Sequence, residues 1–243
     1  IAVAADEAGL EELWLWEDCF RESGIAAAAA TLAATRQLRV GVGLLPVPLR
    51  NVALTAMEAA TLERMFPGRI HLGIGHGVQE WMQQVGARVE SPMSLLREYV
   101  VALRALLQGE RMTVDGRYVK LDGVALDWPP ASAPGIFVGA VGPRSLRLAG
   151  ELADGTLLTG GTPPEAVAQM RRVISAGQEH SNHSDSHRVV VNVHAATGPD
   201  ADMRIEAERV RWKYNSTTDV AIAGDATAFA AAILLMLVFG LVN

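Results

Sequence analysis

The stretch GIFVGAVGPRSLRLAGELADGTLLT, residues 135–159, contains one complete strand–helix–strand unit. Its first five residues are apolar or glycine, which is typical of a strand in a sheet that is covered on both faces. Proline is favoured at the first position of a helix, so Pro143 is predicted to begin a helix that extends to Leu152. A second apolar strand follows at 155–159. Because a helical crossover joins parallel strands, this stretch predicts an α/β fold with a parallel sheet.

The same alternation of helices and short apolar strands extends through residues 1–243, with no long linker, which predicts a single domain. The predicted strands are centred near residues 14, 42, 72, 137, 157, 191 and 222. The predicted helices include 49–65, 92–107 and one that begins at residue 225, and residues 77–91 are predicted to form a loop. A β-hairpin near 110–122 interrupts the order, because strand-like residues flank an Asp-Gly turn. This pattern predicts a (β/α)8 TIM barrel, which takes about 250 residues, with its first strand missing from the given chain. An open doubly wound sheet competes, but no dinucleotide-binding glycine motif follows a predicted strand.

Composition and charge exclude several partners. The chain has 21 Lys and Arg against 27 Asp and Glu, for a net charge of −6. It therefore lacks the excess of basic residues that is typical of proteins that bind nucleic acid or anionic membranes.

The single cysteine, Cys19, cannot form an internal disulfide, which favours a cytoplasmic location. The apolar run 228–242 is shorter than the roughly 17–25 residues of a membrane span, so we predict buried core, with a membrane anchor as the minor alternative.

A metal site is not predicted from the histidine-rich segment. His180, His183, His187 and Asp185 stand close together in the sequence and could be drawn as a metal cluster. The segment is rich in serine and has the character of a loop, so a solvated connector is the better interpretation.

Two acids follow the predicted strand near residue 14. Catalytic groups of a barrel gather where the carboxyl ends of the strands meet their loops. Glu17 and Asp18 stand at such a position and could bind a ligand or move a proton. A polar helix cap beside a buried structural Cys19 is an equally good interpretation.

Glycines follow the second and third predicted strands. Gly43 and Leu44 lie at the end of the second strand, where glycine lets the backbone approach another group closely. The third strand ends in Gly75, His76 and Gly77, a loop able to pass near a planar ligand or a phosphate. An ordinary hydrogen-bonding role for the imidazole is the competing interpretation of His76.

The turn from strand to helix at 139–146 is the most specific candidate for binding. Backbone N–H groups point outward at a helix N-terminus, and Arg144 adds a positive charge, so phosphate or another anion can bind there. A solvent-facing arginine on an ordinary helix is the alternative. The next strand ends in a second donor-rich turn, and two such turns late in a barrel match its usual phosphate position. The candidate residues are Ala140, Val141, Gly142, Pro143, Arg144, Thr159 and Gly160.

The order of these pieces resembles the bacterial luciferase-like family, which contains flavin-dependent monooxygenases and oxidoreductases that use the deazaflavin coenzyme F420. The resemblance covers nearly the whole chain. Its most specific part is GPRSLRLAGELADG at 142–155. The looser parts are EAGLEELWLWED at 7–18, RVGVG at 39–43, FPGR at 66–69 and LGIGHG at 72–77.

The resemblance implies a (β/α)8 barrel with the flavin or deazaflavin ring at the C-terminal mouth. It places the cofactor phosphate at Gly142, Pro143 and Arg144, and it places residues 75–77 beside the cofactor. Relatives that use F420 carry a bulge with a non-prolyl cis peptide after the second strand, and Gly43–Leu44 is the matching bond here. Many relatives have Ser-Asp-His where this chain has residues 17–19. Glu17 and Asp18 would therefore have to supply any proton chemistry.

The leading prediction is an oxidoreductase that transfers a hydride between a flavin-type cofactor and a small organic substrate. Coenzyme F420 is slightly preferred over FMN, and the resemblance implies a homodimer. A reduced-FMN-dependent monooxygenase is the alternative within the family, and it requires a closed apolar pocket that shields the reaction from water. A non-catalytic flavin-binding or scaffold barrel is the alternative from another class.

Overall fold

The computed structural model describes residues 1–181, 186–192, 194–211 and 221–224. The helices are α1 (Ala2–Glu7), α2 (Gly24–Ala34), α3 (Val52–Met65), α4 (Gln79–Gln84), α5 (Pro92–Leu107), α6 (Pro143–Leu152), α7 (Pro164–Gln178) and α8 (Ala201–Arg211), with a 3-10 turn at Val47–Leu49. The strands are β1 (Glu12–Leu15), β2 (Arg39–Pro46), β3 (Ile70–Gly75), β4 (Met112–Asp115), β5 (Lys120–Val124), β6 (Gly135–Gly139), β7 (Gly155–Leu158), β8 (Arg188–Val191), β9 (His194–Thr197) and β10 (Ala221–Gly224).

Six of the strands form one parallel sheet in the order β1-β2-β3-β6-β7-β8. The strands β4 and β5 form a separate antiparallel hairpin, and β9 pairs with β10 in parallel. The parallel α/β fold and the inserted hairpin predicted from the sequence are therefore confirmed. Among the described residues, no helix combines the length and the hydropathy that crossing a bilayer requires.

The six-stranded sheet is curled, so that side chains of its two edge strands meet. Five inter-strand spacings of about 4.8 Å would separate β1 from β8 by roughly 24 Å in a flat sheet. Instead, Arg188 on β8 donates a hydrogen bond of 2.8 Å to Glu12 on β1. The rings of Trp14 on β1 and Phe137 on β6 also meet, with their centroids 5.0 Å apart. The sheet is thus a half-barrel, and the described strands do not close the complete barrel that the sequence predicted.

The structure differs from the sequence prediction in three further places. The predicted strand near residue 222 pairs with β9, which was not predicted because His194–Thr197 is short and contains two alanines. The helix predicted to begin at Leu49 begins at Val52, because the Asn51 side chain caps it by accepting from the Ala53 N–H at 2.9 Å. The short helix α4 occupies part of a predicted loop. The helix predicted from residue 225 and the apolar run 228–242 lie outside the described residues.

Alternate glycines make room for large side chains inside the half-barrel. A Cβ atom on Gly41 would lie 2.3 Å from the Trp14 ring, and one on Gly139 would lie 2.1 Å from Leu44 Cδ2. Successive strand residues point to opposite faces of a sheet, so the residues next to these glycines face the helices. Val40 and Val138 occupy such positions and are fully buried.

A charged cluster lies inside the half-barrel, near the beginnings of the strands. Glu12 Oε2 accepts from Arg188 at 2.8 Å, and Glu12 Oε1 lies 3.2 Å from Arg39 Nε and 3.5 Å from His71 Nε2. The neighbouring His71 imidazole, and to a lesser extent the hydrogen bond from Arg188, hold the pKa of Glu12 far below its usual range, although burial opposes this shift. One carboxylate thereby joins strands β1, β2, β3 and β8.

Helices α6 and α7 touch through a pair of glycines. A Cβ atom on Gly150 would lie 2.1 Å from the Ile174 carbonyl oxygen, and one on Gly177 would lie 2.1 Å from the Arg147 carbonyl oxygen. Each glycine therefore faces the backbone of the other helix. No larger residue fits at either position without moving the two helices apart.

We expect His187 to make the stability of the protein depend on pH. Its Nδ1 lies 3.2 Å from the Ala153 carbonyl oxygen, and its Nε2 lies 2.8 Å from Thr156 Oγ1. Burial lowers the pKa of His187, so the unfolded chain binds a proton more readily than the folded protein. The resulting stability is present above the unfolded pKa of about 6.5 and is lost as the pH falls below it. Thermal unfolding followed by circular dichroism at several pH values should show this loss as a fall in the melting temperature. The slope of melting temperature against pH should be smaller in His187→Gln. An unchanged slope in that variant would contradict the assignment.

Candidate active site

The carboxyl ends of five strands bring the predicted site residues to one edge of the sheet. Residues 17–20 follow β1, residues 75–77 end β3, and residues 140–144 and 159–160 follow β6 and β7. The Leu44 side chain fills the space where a Cβ on Gly75 or Gly139 would lie, at 2.8 and 2.1 Å. The ends of β2, β3 and β6 are thus in direct contact at this edge, which we call the mouth.

Strand β2 is irregular within the mouth. The Gly43–Leu44 peptide bond is cis, as the resemblance implied, and the pairing register with β3 shifts between Val42 and Leu45. The shift turns Leu44 toward the interior of the half-barrel. A second non-prolyl cis bond, Cys19–Phe20, was not predicted from the sequence.

Glu17 is held on both of its carboxylate oxygens. Arg50 Nε donates to Oε1 at 3.3 Å and Arg50 Nη2 to Oε2 at 3.0 Å, while the Gly24 N–H donates to Oε2 at 2.7 Å. The last bond satisfies a backbone donor at the start of α2, so Glu17 has the cap role that the sequence left open. Arg50 and its second partner, Glu58, were not predicted as site residues.

Asp18 has a different environment from Glu17. Burial raises the pKa of the Asp18 carboxyl, with Arg21 opposing the shift and Glu22 adding to it. A carboxyl group whose pKa lies nearer to neutrality exchanges protons more effectively in catalysis. Burial, together with the charges of Glu17 and Asp18, raises the pKa of the Cys19 thiol, so this thiol is not activated as a nucleophile.

His76 lies in the mouth, and its imidazole is partly buried. Burial lowers its pKa, and the Pro92 backbone opposes that shift. Its Nδ1 atom is buried without a hydrogen-bond partner among the described residues. The Gln79 side chain donates to the His76 carbonyl oxygen at 3.3 Å, and Gly77 has a φ of +68°, a conformation that favours glycine.

The N-terminus of α6 is open to an anion. Its N-cap is Gly142, which has no side chain that could cap the helix. The Ser145 hydroxyl donates to the Gly142 carbonyl oxygen at 2.9 Å. A Cβ on Gly142 would meet only Ser145 Oγ, at 4.0 Å. Backbone N–H groups of a first helical turn have no partner within the helix. These donors and the exposed Arg144 suit the phosphate of a cofactor.

The turn after β7 has fewer available donors than the sequence suggested. The Thr162 hydroxyl and N–H both donate to the Thr159 carbonyl oxygen, at 2.6 and 3.3 Å. The Gly161 N–H donates to the Asn192 carbonyl oxygen at 2.8 Å. Thr159 and Gly160 border the mouth, but their turn is largely satisfied by bonds of its own.

The described residues contain no group of three histidine, cysteine, aspartate or glutamate side chains that could hold a metal ion. His180 lies 3.2 Å from the Ala176 carbonyl oxygen, and His187 faces Thr156. Residues 183 and 185 of the histidine-rich segment lie outside the described part of the chain.

A curled parallel sheet with its candidate site at the carboxyl ends of the strands defines an α/β protein with half-barrel architecture. The chain belongs to the luciferase-like monooxygenase family, whose model matches residues 1–231.

The relatives include reductases and dehydrogenases, and two of the three described next are F420-dependent. The 5,10-methylenetetrahydromethanopterin reductase of Methanolobus tindarius is 30% identical, over 83% of this chain and 61% of that protein. The F420-dependent glucose-6-phosphate dehydrogenase of Nakamurella multipartita is 34% identical, over 68% of this chain and 52% of that protein. The structure of an F420-dependent secondary alcohol dehydrogenase, in complex with an F420-acetone adduct, superposes with a TM-score of 0.87 at 18% identity, covering 98% of this chain and 84% of that one. This chain thus spans less than two thirds of the length of each of the two curated relatives.

Proposed function

We propose that this protein is an oxidoreductase that transfers a hydride between coenzyme F420 and a small organic substrate. The observation that carries the proposal is the open N-terminus of α6, with Arg144 in its first turn, beside a mouth built largely from glycine. This arrangement fits a planar cofactor with a phosphate group. The F420-dependent relatives support this choice of cofactor.

The chain supplies binding and proton transfer around the cofactor. When bound, coenzyme F420 donates or accepts a hydride at its ring. The backbone N–H groups after Gly142 and the Arg144 guanidinium hold the phosphate. Asp18 exchanges a proton with the substrate, and Glu17 supports it. The other proposed cofactor-binding residues are Gly43, Leu44, Gly75, His76, Gly77, Ala140, Val141, Pro143, Thr159 and Gly160.

An FMN-dependent monooxygenase is the second candidate, favoured by the family's description. Such an enzyme requires a mouth that excludes water. The F420-dependent relatives favour hydride transfer over oxygen activation.

We also propose that the full protein completes a (β/α)8 barrel and forms a cytoplasmic homodimer. The chain covers 61% of the length of the Methanolobus tindarius reductase. A full protein of that length has enough residues for the further strands of a barrel. The helix α2 contains no charged residue, and its exposed positions include Ala26, Ala30 and Ala33. An uncharged surface of this kind suits association with a second copy.

Cofactor titration tests the proposed function. Following cofactor fluorescence, we expect coenzyme F420 to bind and FMN to bind more weakly. Arg144→Ala should weaken F420 binding about 10- to 100-fold, because it removes a hydrogen bond to a charged group. Arg147→Ala, an exposed position on the same helix, is the matched control and should bind normally. Absence of binding to either cofactor would overturn the assignment and favour a non-catalytic scaffold barrel.

A further inference from the structure

We propose that Arg50 is a positioning residue that fixes Asp18 in the mouth by holding the neighbouring Glu17, an inference that rests on the proposed function. Arg50 directly follows the 3-10 turn after β2. Its guanidinium binds Glu17 through two nitrogens, at 3.3 and 3.0 Å, and binds Glu58 on α3 through the third, at 2.8 Å. Arg50 therefore links the loop after β1 to the helix after β2.

The three side chains of this network are largely removed from water. Their exposed fractions are 14% for Arg50, 12% for Glu17 and 25% for Glu58. Pairs between buried charges depend strongly on geometry, because each charge has lost its hydration. Glu17 also accepts from the Gly24 N–H at 2.7 Å, so its side chain is held from two directions. Because Asp18 is the next residue, its backbone position is set by the same contacts.

The network is anchored in the core of the protein. Glu58 lies on α3 near Thr55, and the Tyr99 hydroxyl on α5 donates to Thr55 Oγ1 at 2.7 Å. Tyr99 is 2% exposed and Thr55 is fully buried. Helix α3, which carries both Glu58 and Thr55, thus connects the Arg50 network to the buried core. Support from the core is what an acid–base group needs to stay within reach of its substrate.

Lysine cannot reproduce the contacts of Arg50. An ammonium is a single point charge, whereas the planar guanidinium meets one carboxylate with two parallel bonds and a second carboxylate with its remaining edge. Arg50→Lys therefore keeps the charge and removes the geometry. Arg97→Lys is the matched control, because Arg97 also binds a carboxylate through two bonds of 2.6 Å, to Glu151, but is 48% exposed and joins α5 to α6.

The single cysteine provides a reporter that needs no cofactor. Cys19 lies two residues after Glu17, and its alkylation by iodoacetamide can be followed by mass spectrometry. We expect Arg50→Lys to accelerate alkylation about tenfold, because a loosened loop exposes the thiol more often. The rate in Arg97→Lys should equal that of the wild type.

The second readout is turnover with the proposed cofactor. In Arg50→Lys we expect kcat to fall about 10- to 100-fold with the F420 dissociation constant unchanged, because a small misplacement of a proton-transfer group has an effect of that size. Arg50→Met, checked for folding by circular dichroism, should show a larger loss. Normal alkylation in a folded Arg50 variant would overturn the positioning role. Faster alkylation with normal kcat would overturn its role in catalysis. Failure of the wild type to bind either cofactor would overturn the proposed function, and the alkylation comparison would still decide the positioning role.

Discussion

The Asp18→Asn variant is expected to lose about 10²- to 10⁴-fold in kcat while its affinity for the cofactor stays normal. The amide has the shape of the carboxyl group but cannot exchange a proton with the substrate. Burial, which raises the pKa of Asp18, brings this carboxyl closer to neutrality than an exposed aspartate. Steady-state kinetics at saturating F420, together with the binding titration, separate a loss of turnover from a loss of binding.

The pH profile gives this variant a second test. If Asp18 accepts a proton during substrate oxidation, wild-type activity falls as the pH drops below its pKa; if Asp18 donates one during reduction, activity falls as the pH rises above it. This fall in activity on one side of the pKa of Asp18 should be absent in Asp18→Asn. Glu22→Gln is the control, because Glu22 acts on Asp18 only through its charge, and its kcat should stay close to normal. A kcat within about threefold of the wild type in Asp18→Asn would remove Asp18 from the mechanism.

The Gly150→Val variant is expected to lower the free energy of unfolding by more than about 3 kcal/mol. A Cβ at this position would lie 2.1 Å from the Ile174 carbonyl oxygen and 3.1 Å from the Gln178 backbone nitrogen. These are backbone atoms of α7, so no side chain can rotate away to relieve the overlap. The two helices must separate instead, and the apolar contacts between them are lost.

Gly150→Ala makes the same test sharper. By intrinsic helix propensity, alanine would stabilise α6 by about 1 kcal/mol relative to glycine. The contact with α7 predicts the opposite, a lower free energy of unfolding in Gly150→Ala. Urea denaturation of both variants, with the exposed Arg147→Ala as control, measures the difference. A Gly150→Ala protein about 1 kcal/mol more stable than the wild type would show that the two helices can separate without cost.

Much of the fold was predictable where local chemistry marks the ends of elements. Pro92 and Pro143 marked the first turns of α5 and α6, and both helices have the predicted bounds. Alternating glycines marked β2 and β3. In contrast, β9 has no apolar run of its own, and α4 lies in a segment without clear periodicity, so neither gave a local signal.

The positions of the glycines in the site were predictable from the sequence, whereas the pairing of its charged side chains was not. The bulge at Gly43–Leu44 followed from the resemblance and is present in the structure. The partner of Glu17 stands 33 residues away in the sequence, and nothing near either residue indicates the pairing. The close approach of Gly150 to α7 has the same origin, because it depends on the distance between two helices. Contacts of this kind arise only when the chain has folded.

The contacts of Glu12 have a consequence for synthesis on the ribosome. The partners of this carboxylate emerge in the order Arg39, His71 and Arg188, which is also the order of their strands across the sheet. The last partner stands 176 residues after Glu12. At about 5–20 residues per second, it leaves the ribosome roughly 10 to 35 s later. A growing chain can therefore add its strands one by one around a fixed carboxylate, and its curvature is secured only when β8 arrives.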